Sequence, residues 1–354
     1  MIIPVYNRPE ELRALLTSIS EQQSGMDSEE IGPGDQADDA GTPALNAEII
    51  VVDDGSDAPL ASRIERIVRN LKPQLPVPLR LLSQENAGPG LARNYGARAA
   101  KGQWLLFLDS DCELPVTYFQ EVEASVQRAE EKNSVLMGGP DSARRDYSPL
   151  QQAIQYAMSS VLTTGGIRGR KKAADTYYPR SFNMLVKASA FHEVSGFANL
   201  RFGEDLDLSM RIMEAGGKSS YMPTLAVYHK RRSTLKAFFK QVFNSGMARI
   251  VLHKRHPGSL RAVHILPSLF TIVALLTPVL LTKPVLFFAF WGSFSFILGL
   301  HSLASTGNLK VGALSVPAAA VQLGGYGSGF LYAAYLFLVL QRPERYAFRQ
   351  TFYN

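Results

Sequence analysis

Trp104-Leu105-Leu106-Phe107-Leu108-Asp109-Ser110-Asp111 is an apolar run that stops in two carboxylates one residue apart. Five large apolar residues in a row suit a strand covered on both faces of a parallel sheet, and ligands of open α/β sheets lie beyond the carboxyl ends of such strands. The stretch therefore predicts a central strand that delivers an acidic pair to the sheet edge. Two like charges held there suit a divalent cation, magnesium or manganese, which prefers hard oxygen ligands and can neutralise a diphosphate leaving in a group transfer. A solvated Asp-Ser-Asp turn is the other reading, because both residue types are ordinary turn formers.

Composition sets the frame around this strand. The 354 residues are 46% hydrophobic, enough for one large or two medium domains. Residues 1–217 carry 22 Lys and Arg against 30 Asp and Glu, a net of −8, whereas residues 218–354 carry 15 against 1, a net of +14. From Ala262 to Gln341 the only charges are Lys283 and Lys310. The uncharged stretches 262–282, 284–309 and 311–341 each reach the roughly 18 to 20 residues that cross a bilayer as a helix. They predict two or three transmembrane helices. A buried soluble bundle is the alternative, but soluble helices seldom lose charge on every face for so long. Gly325-Tyr326-Gly327-Ser328-Gly329 reads either as a small-residue packing face or as a helix break.

Just before these stretches lie Lys230, Arg231, Arg232, Lys236, Lys240, Arg249, Lys254, Arg255 and Arg261, interleaved with Phe238, Phe239, Val242 and Phe243. A basic amphipathic segment beside apolar spans suits an anionic membrane surface rather than nucleic acid, so a membrane partner and no nucleic acid are expected. The positive-inside rule then predicts residues 1–260 on the cytoplasmic side of a bacterial-type inner membrane. Three full spans would put Arg342, Arg345 and Arg349 outside, so the last stretch is re-entrant or interfacial, or breaks the rule. Met1–Val5 running directly into a strand predicts no cleaved leader. The single cysteine, Cys112, excludes an internal disulfide framework and a Cys-based zinc site.

The first 230 residues alternate strand-like and helix-like segments, the pattern of a parallel sheet with crossover helices. Ile2–Val5, Ile49–Val52 and Leu79–Leu82 read as strands, and Leu60–Leu71 and Leu91–Ala100 as helices. Residues 24–47 hold almost no large apolar side chains and predict a disordered insertion. The expected organisation is a catalytic domain over 1–230, a basic membrane-proximal segment over 231–261, a transmembrane region over 262–341 and a basic tail over 342–354.

Four segments together carry a resemblance: Ile3-Pro4-Val5-Tyr6-Asn7, Val52-Asp53-Asp54-Gly55-Ser56, Asn86-Ala87-Gly88 with Ala92-Arg93-Asn94, and Phe107-Leu108-Asp109-Ser110-Asp111. In this order and spacing they resemble family 2 glycosyltransferases of the membrane-anchored, non-processive type. The resemblance implies a GT-A fold, a Rossmann-like α/β nucleotide-diphospho-sugar domain, followed by C-terminal transmembrane helices. It further implies that Pro4, Tyr6 and Asp54 line a nucleoside pocket and that Arg93 helps hold the base or diphosphate. Asp109 would face the ribose and metal, and Asp111 would ligate the metal, a divalent cation (Mn²⁺ or Mg²⁺).

Phe202-Gly203-Glu204-Asp205-Leu206-Asp207-Leu208 places three carboxylates in four positions before the helical stretch Ser209–Glu214. Acids at a helix N-terminus are favoured by its dipole, which is the bland reading. Inverting transfer also needs a base for the acceptor hydroxyl, and the resemblance assigns that role to Asp205, with Glu204 orienting the acceptor or base and Asp207 structural. His229, after a short strand expected at Leu225–Val227, is either a further metal ligand or a histidine satisfied by phosphate or headgroup contacts. Gly138-Gly139-Pro140-Asp141 resembles the loop that contacts the sugar, and Gly165–Lys172 a basic loop or linker.

Other functions fit less well. A dehydrogenase would need Gly-x-Gly-x-x-Gly after a strand, and a nucleotidyltransferase a basic glycine-rich loop where Tyr6-Asn7-Arg8-Pro9 stands. A processive polysaccharide synthase usually carries Gln-x-x-Arg-Trp after the Glu-Asp pair, whereas the only tryptophans here are Trp104 and Trp291. A non-catalytic, membrane-tethered nucleotide-sugar-binding module is the alternative from a different class. The expected activity is inverting transfer from a nucleotide sugar to a lipid-linked or envelope-glycan acceptor at the cytoplasmic face.

Overall fold

The computed structural model describes residues 1–22, 46–142, 147–164, 177–200, 202–229 and 232–342. Nearly all of the expected insertion, the Gly165–Lys172 loop, Lys230, Arg231 and the tail beyond Arg342 lie outside these residues. The described residues form two compact units. One is an α/β unit of residues up to Ser142 and 177–229; the other is a helical unit of 147–164 and 232–342. Residues 147–164, expected within the catalytic domain, thus belong with the helices.

The α/β unit begins with β1 (Ile2–Val5), α1 (Pro9–Ser20), β2 (Ile49–Asp53), α2 (Ala58–Leu71), β3 (Leu79–Ser83), α3 (Pro89–Ala99) and β4 (Trp104–Leu108). Each helix starts with proline in its first turn, where the missing N–H costs nothing. In α1, Leu12, Leu15, Leu16 and Ile19 repeat at helical spacing and are all buried, each contributing about 1.5–3 kcal/mol by leaving water. The unit continues through β5 (Cys112–Glu113), α4 (Tyr118–Glu131), β6 (Leu136–Gly138) and β7 (Asp141–Ser142). In the helical unit lie α5 (Pro149–Ser159) and α6 (Val161–Thr164); β8 (Asn183–Lys187), α7 (Ala188–Glu193), α8 (Glu204–Glu214), β9 (Ser219–Tyr221) and β10 (Val227–His229) complete the α/β unit.

The main sheet has the order β3-β2-β1-β4-β8-β6-β9. Strand β4 is central and covered on both faces, as its apolar run predicts. Leu106 and Leu108 join the cluster under α1, α2 and α4, while Leu105 and Phe107 point the other way, among Phe191, Phe197, Leu208 and Ile212. The sheet is mixed rather than parallel throughout. Strand β8 runs antiparallel to β4, with Asn183 opposite Leu108 and Lys187 opposite Trp104, so the chain enters β8 from the carboxyl edge of β4.

Strands β1 and β4 mark the point where the strand order reverses, the place in open α/β sheets where a crevice forms. Their pairing is confined to Ile2 and Phe107. The Met1 and Val5 carbonyls accept from β2 and the segment after it, so even-numbered residues of β1 face β4. There Pro4 has no N–H to give, and the ladder ends.

The helical unit adds α9 (Leu235–Arg255), α10 (Ala262–Leu280), α11 (Pro284–Thr306) and α12 (Leu309–Ala334). Two of these, α10 and α11, are long and apolar enough to cross a membrane, and Leu275, Val279, Phe288 and Phe296 on them are exposed. The third uncharged stretch forms α12, whose glycines pack rather than break the helix. A Cβ at Gly329 would lie 2.0 Å from the Phe243 carbonyl oxygen of α9, and one at Gly327 would lie 2.2 Å from the Pro267 carbonyl oxygen of α10. Glycine lets both backbones approach α12 closely.

Candidate active site

The carboxyl ends of β1, β2 and β4 carry the sequence-predicted residues to one edge of the main sheet. After β4, Cys112 N–H donates to the Asp109 carbonyl oxygen at 3.1 Å, turning the chain into β5. Strand β5 pairs antiparallel with β10, placing Cys112 opposite His229, and β10 pairs parallel with β7, placing Val227 opposite Asp141. This small second sheet brings three distant segments to the acidic pair. His229 Nε2 lies 3.1 Å from Asp111 Oδ1, and His229 Nδ1 lies 3.9 Å from Asp141 Oδ2. Phe182 stacks on the imidazole at 5.1 Å and fixes the plane of the ring.

Burial by itself would lower the proton affinity of His229, but the hydrogen bond and charge of Asp111, with Asp109 and Asp141 behind it, hold it above the ordinary value. Asp111, Cys112 and His229 place one potential ligand atom each within 4.8 Å of one another. The Cys112 thiol is a poor ligand. Burial, then the neighbouring carboxylates, push its pKa well up, and it donates to the Phe182 carbonyl oxygen. What fits a divalent cation is a carboxylate with an imidazole, a donor set suited to manganese and tolerable to magnesium. The site already attracts positive charge: Arg8 Nη1 lies 2.8 Å from Asp111 Oδ2.

Asp109 belongs to a second constellation. Arg93 projects from α3, is 3% exposed, and bridges Asp109 through Nη2 and Glu204 through Nη1, the latter at 3.3 Å. Its guanidinium also lies 5.4 Å from the centre of the Phe197 ring. Glu204 opens α8 after Gly203, which adopts a left-handed φ of 77°. That helix begins five residues earlier than the sequence pattern predicts, so Glu204, Asp205 and Asp207 all lie in its first turn, where the dipole favours them. Burial, then the charge of Asp205, raise the Glu204 carboxyl to about 7 against the pull of Arg93.

Asp205 is gripped by Arg180, whose Nη1 lies 3.2 Å from Oδ2 and 3.3 Å from Oδ1. Arg180 precedes β8, and the antiparallel register delivers it to the same edge as Asp109. Asp207 is fully buried and paired with Arg211 at 2.8 Å, the structural role expected of it. Asp54 accepts from Ala87 N–H at 2.9 Å, Gly88 N–H at 2.8 Å and Gln84 Nε2 at 2.7 Å. It therefore ties the end of β2 to the loop before α3. Burial raises its pKa above the usual value. Pro4 is buried within β1 opposite Val52, while Tyr6 is half-buried at the turn that follows.

Two arginines of this edge, Arg8 and Arg180, carry no motif signal in the sequence. Their role depends on which carboxylate the fold sets beside each, and single-residue identity does not encode that.

The chain matches the model of glycosyl transferase family 2 over residues 1–195, and that of glycosyl transferase family group 2 over residues 104–309. It belongs to glycosyl transferase family 2. An uncharacterized glycosyltransferase of Haemophilus influenzae is 26% identical over 248 residues, which are 66% of this chain and 70% of that protein. A pre-mycofactocin glycosyltransferase of Mycobacterium tuberculosis is 25% identical over 265 residues, 73% of this chain and 48% of that protein, so the chain spans about half of that relative. Among solved structures, the mannosyltransferase PcManGT from Pyrobaculum calidifontis, in complex with GDP-Man and Mn²⁺, aligns over 97% of this chain and 87% of its own with a TM-score of 0.53. At 18% identity that likeness is one of fold, and it agrees with the GT-A architecture of a family 2 enzyme.

Proposed function

We propose that this family 2 enzyme is an inverting glycosyltransferase that moves a sugar from a nucleotide-diphosphate donor to a hydroxyl of a membrane-associated acceptor, lipid-linked or an envelope glycan. The observation that carries this reading is Arg93, which joins Asp109 at the end of β4 to Glu204 at the start of α8. One buried cation thereby couples the expected donor end of the crevice to the expected acceptor end. The GDP-Man and Mn²⁺ held by the Pyrobaculum enzyme support a nucleotide sugar and a divalent cation here.

Asp111 and His229 would hold manganese or magnesium, with Asp109 as a third candidate ligand once Arg93 shares it. A cation held there would supply charge neutralisation to the departing diphosphate. Pro4, Tyr6 and Asp54 shape the nucleoside side of the crevice. Asp205 takes the proton of the acceptor hydroxyl while that oxygen attacks the anomeric carbon; the bond from carbon to the diphosphate oxygen breaks, and its electron pair leaves with the diphosphate. Arg180 holds the Asp205 carboxylate in one orientation for that transfer. A second reading makes Glu204 the proton acceptor, favoured by its carboxyl at about 7, close to a working pH.

The membrane part rests on α10 and α11, whose apolar faces point outward rather than into the helical unit. Neighbouring α9 carries Lys236, Lys240, Arg249, Lys254 and Arg255 without one acid, and would favour an anionic, cytoplasmic leaflet. The test is a screen of UDP-, GDP- and dTDP-sugars for manganese-dependent stabilisation and turnover. Asp111→Ala and Asp205→Asn should each lower turnover by about 10²–10⁴-fold. Full turnover in both variants would sink the mechanism.

A further inference from the structure

Arg8 occupies an unusual place for a half-buried arginine. Its backbone is held rigidly: Asn7 adopts a left-handed φ of 54° and locks onto the turn after β2, donating from Nδ2 to Asp57 Oδ2 and accepting Asp57 N–H at Oδ1, each at 2.9 Å. Asn7 N–H also donates to Ser56 Oγ at 2.9 Å. Pro9 then starts α1. Between these anchors the Arg8 side chain is 40% exposed and forms an ion pair with Asp111 at 2.8 Å. The backbone cannot move away, whereas the long side chain can swing from one anion to another at the same edge.

Asp111 offers two oxygens. Oδ1 is turned to His229 and Oδ2 to Arg8. A divalent cation entering between Asp111 and His229 would meet the Arg8 guanidinium on the very carboxylate it must use, and like charges a few ångströms apart repel in a half-buried site. A diphosphate arriving at the same crevice offers Arg8 a second, planar-matched anion, to which a guanidinium binds in bidentate fashion.

We infer that Arg8 is the resident counter-cation of Asp111, exchanged from that carboxylate to the donor diphosphate when the metal loads, so that Arg8 couples metal binding to donor binding. This rests on the reading above that Asp111 is a metal ligand. Before loading, Arg8 neutralises Asp111 and competes with the metal. After loading, it clamps the diphosphate. By reciprocity, whatever the donor adds to metal affinity the metal adds to donor affinity, and couplings of this sort are typically about 5- to 150-fold.

The test is direct titration of Mn²⁺ into the full chain without donor, read from the electron paramagnetic resonance signal of the free ion, for wild type, Arg8→Ala and Asp111→Asn, with melting curves to verify folding. Arg8→Ala should bind Mn²⁺ more tightly than wild type, by about 5-fold or more. With UDP or GDP present, the wild-type affinity should rise by a larger factor than that of Arg8→Ala. Unchanged or weaker donor-free binding in Arg8→Ala overturns the exchange. If Asp111→Asn binds Mn²⁺ as wild type does, the metal reading itself fails, independently of Arg8.

Discussion

Arg180 straddles Asp205: a single guanidinium nitrogen lies within 3.3 Å of both carboxylate oxygens. Asp205 Oδ1 also accepts the Leu206 N–H at 2.8 Å, and the two contacts together set the direction in which its oxygens point. Arg180→Ala should lower kcat by about 10²-fold, the cost of a misaimed reacting group, with a much smaller change in the donor KM. Arg180→Lys keeps the charge without the planar fork and should recover part of the loss. Steady-state kinetics on both variants check this, and a change confined to KM would assign Arg180 to binding instead.

Arg93 is the buried hub of the site, and its two carboxylate partners are held by one guanidinium. Removing one partner from a buried ion-pair network leaves uncompensated charge, so Arg93→Ala should destabilise the α/β unit by about 3 kcal/mol. Denaturant titration followed by the fluorescence of Trp104, which packs against the core of that unit, measures it. A loss of activity without loss of stability would contradict the hub role.

Glu204 predicts a pH dependence. Its carboxyl titrates at about 7 in the folded chain against an ordinary value of 4.5, so between these the native state binds a proton that the unfolded state has released. The sign follows: the contribution of this group to stability is greatest below 4.5 and is lost as pH rises through about 7. Glu204→Gln carries no such titration. Its melting temperature relative to wild type should climb between pH 5 and pH 8, and a difference that stays flat across about that range would refute the shift.

Gly327 predicts a packing effect in the helical unit. A Cβ there meets the Pro267 carbonyl oxygen and the Thr271 hydroxyl of α10, both at 2.2 Å, and the carbonyl cannot move without bending that helix. Gly327→Val should therefore separate α10 from α12 and lower the thermal midpoint of the purified protein, whereas valine at Gly324, where nothing lies within reach of a Cβ, should be tolerated. Equal midpoints for the two variants would contradict the close approach.

Much of the site was legible because its residues sit at strand ends. Asp54, Asp109 and Asp111 each follow a buried apolar run, and a strand that ends in an acid announces both its burial and its edge. The helix of Arg93 and Asn94 was read from Leu91 onward, and it starts two residues earlier because Pro89 suits its first turn. The antiparallel course of β8 was not legible, since an apolar strand reads the same in either direction. The early start of α8 was missed for a related reason: Gly203 supplies no side-chain cap, and three acids resemble a loop as much as a first helical turn.

Sequence by itself determined the fold class, the order of the four motifs and the apolar character of α10 and α11, because these depend on local patterns of burial and charge. Tertiary structure alone decided the pairings. Asp111 meets His229 through the register of β5 and β10, Asp205 meets Arg180 through the direction of β8, and Asp109 meets Glu204 through one arginine on α3. Such contacts join residues up to 118 positions apart, as with His229 and Asp111, and no local pattern encodes which carboxylate a distant cation will meet. That choice is made by the sheet, which fixes both the strands that neighbour one another and the edge at which each ends.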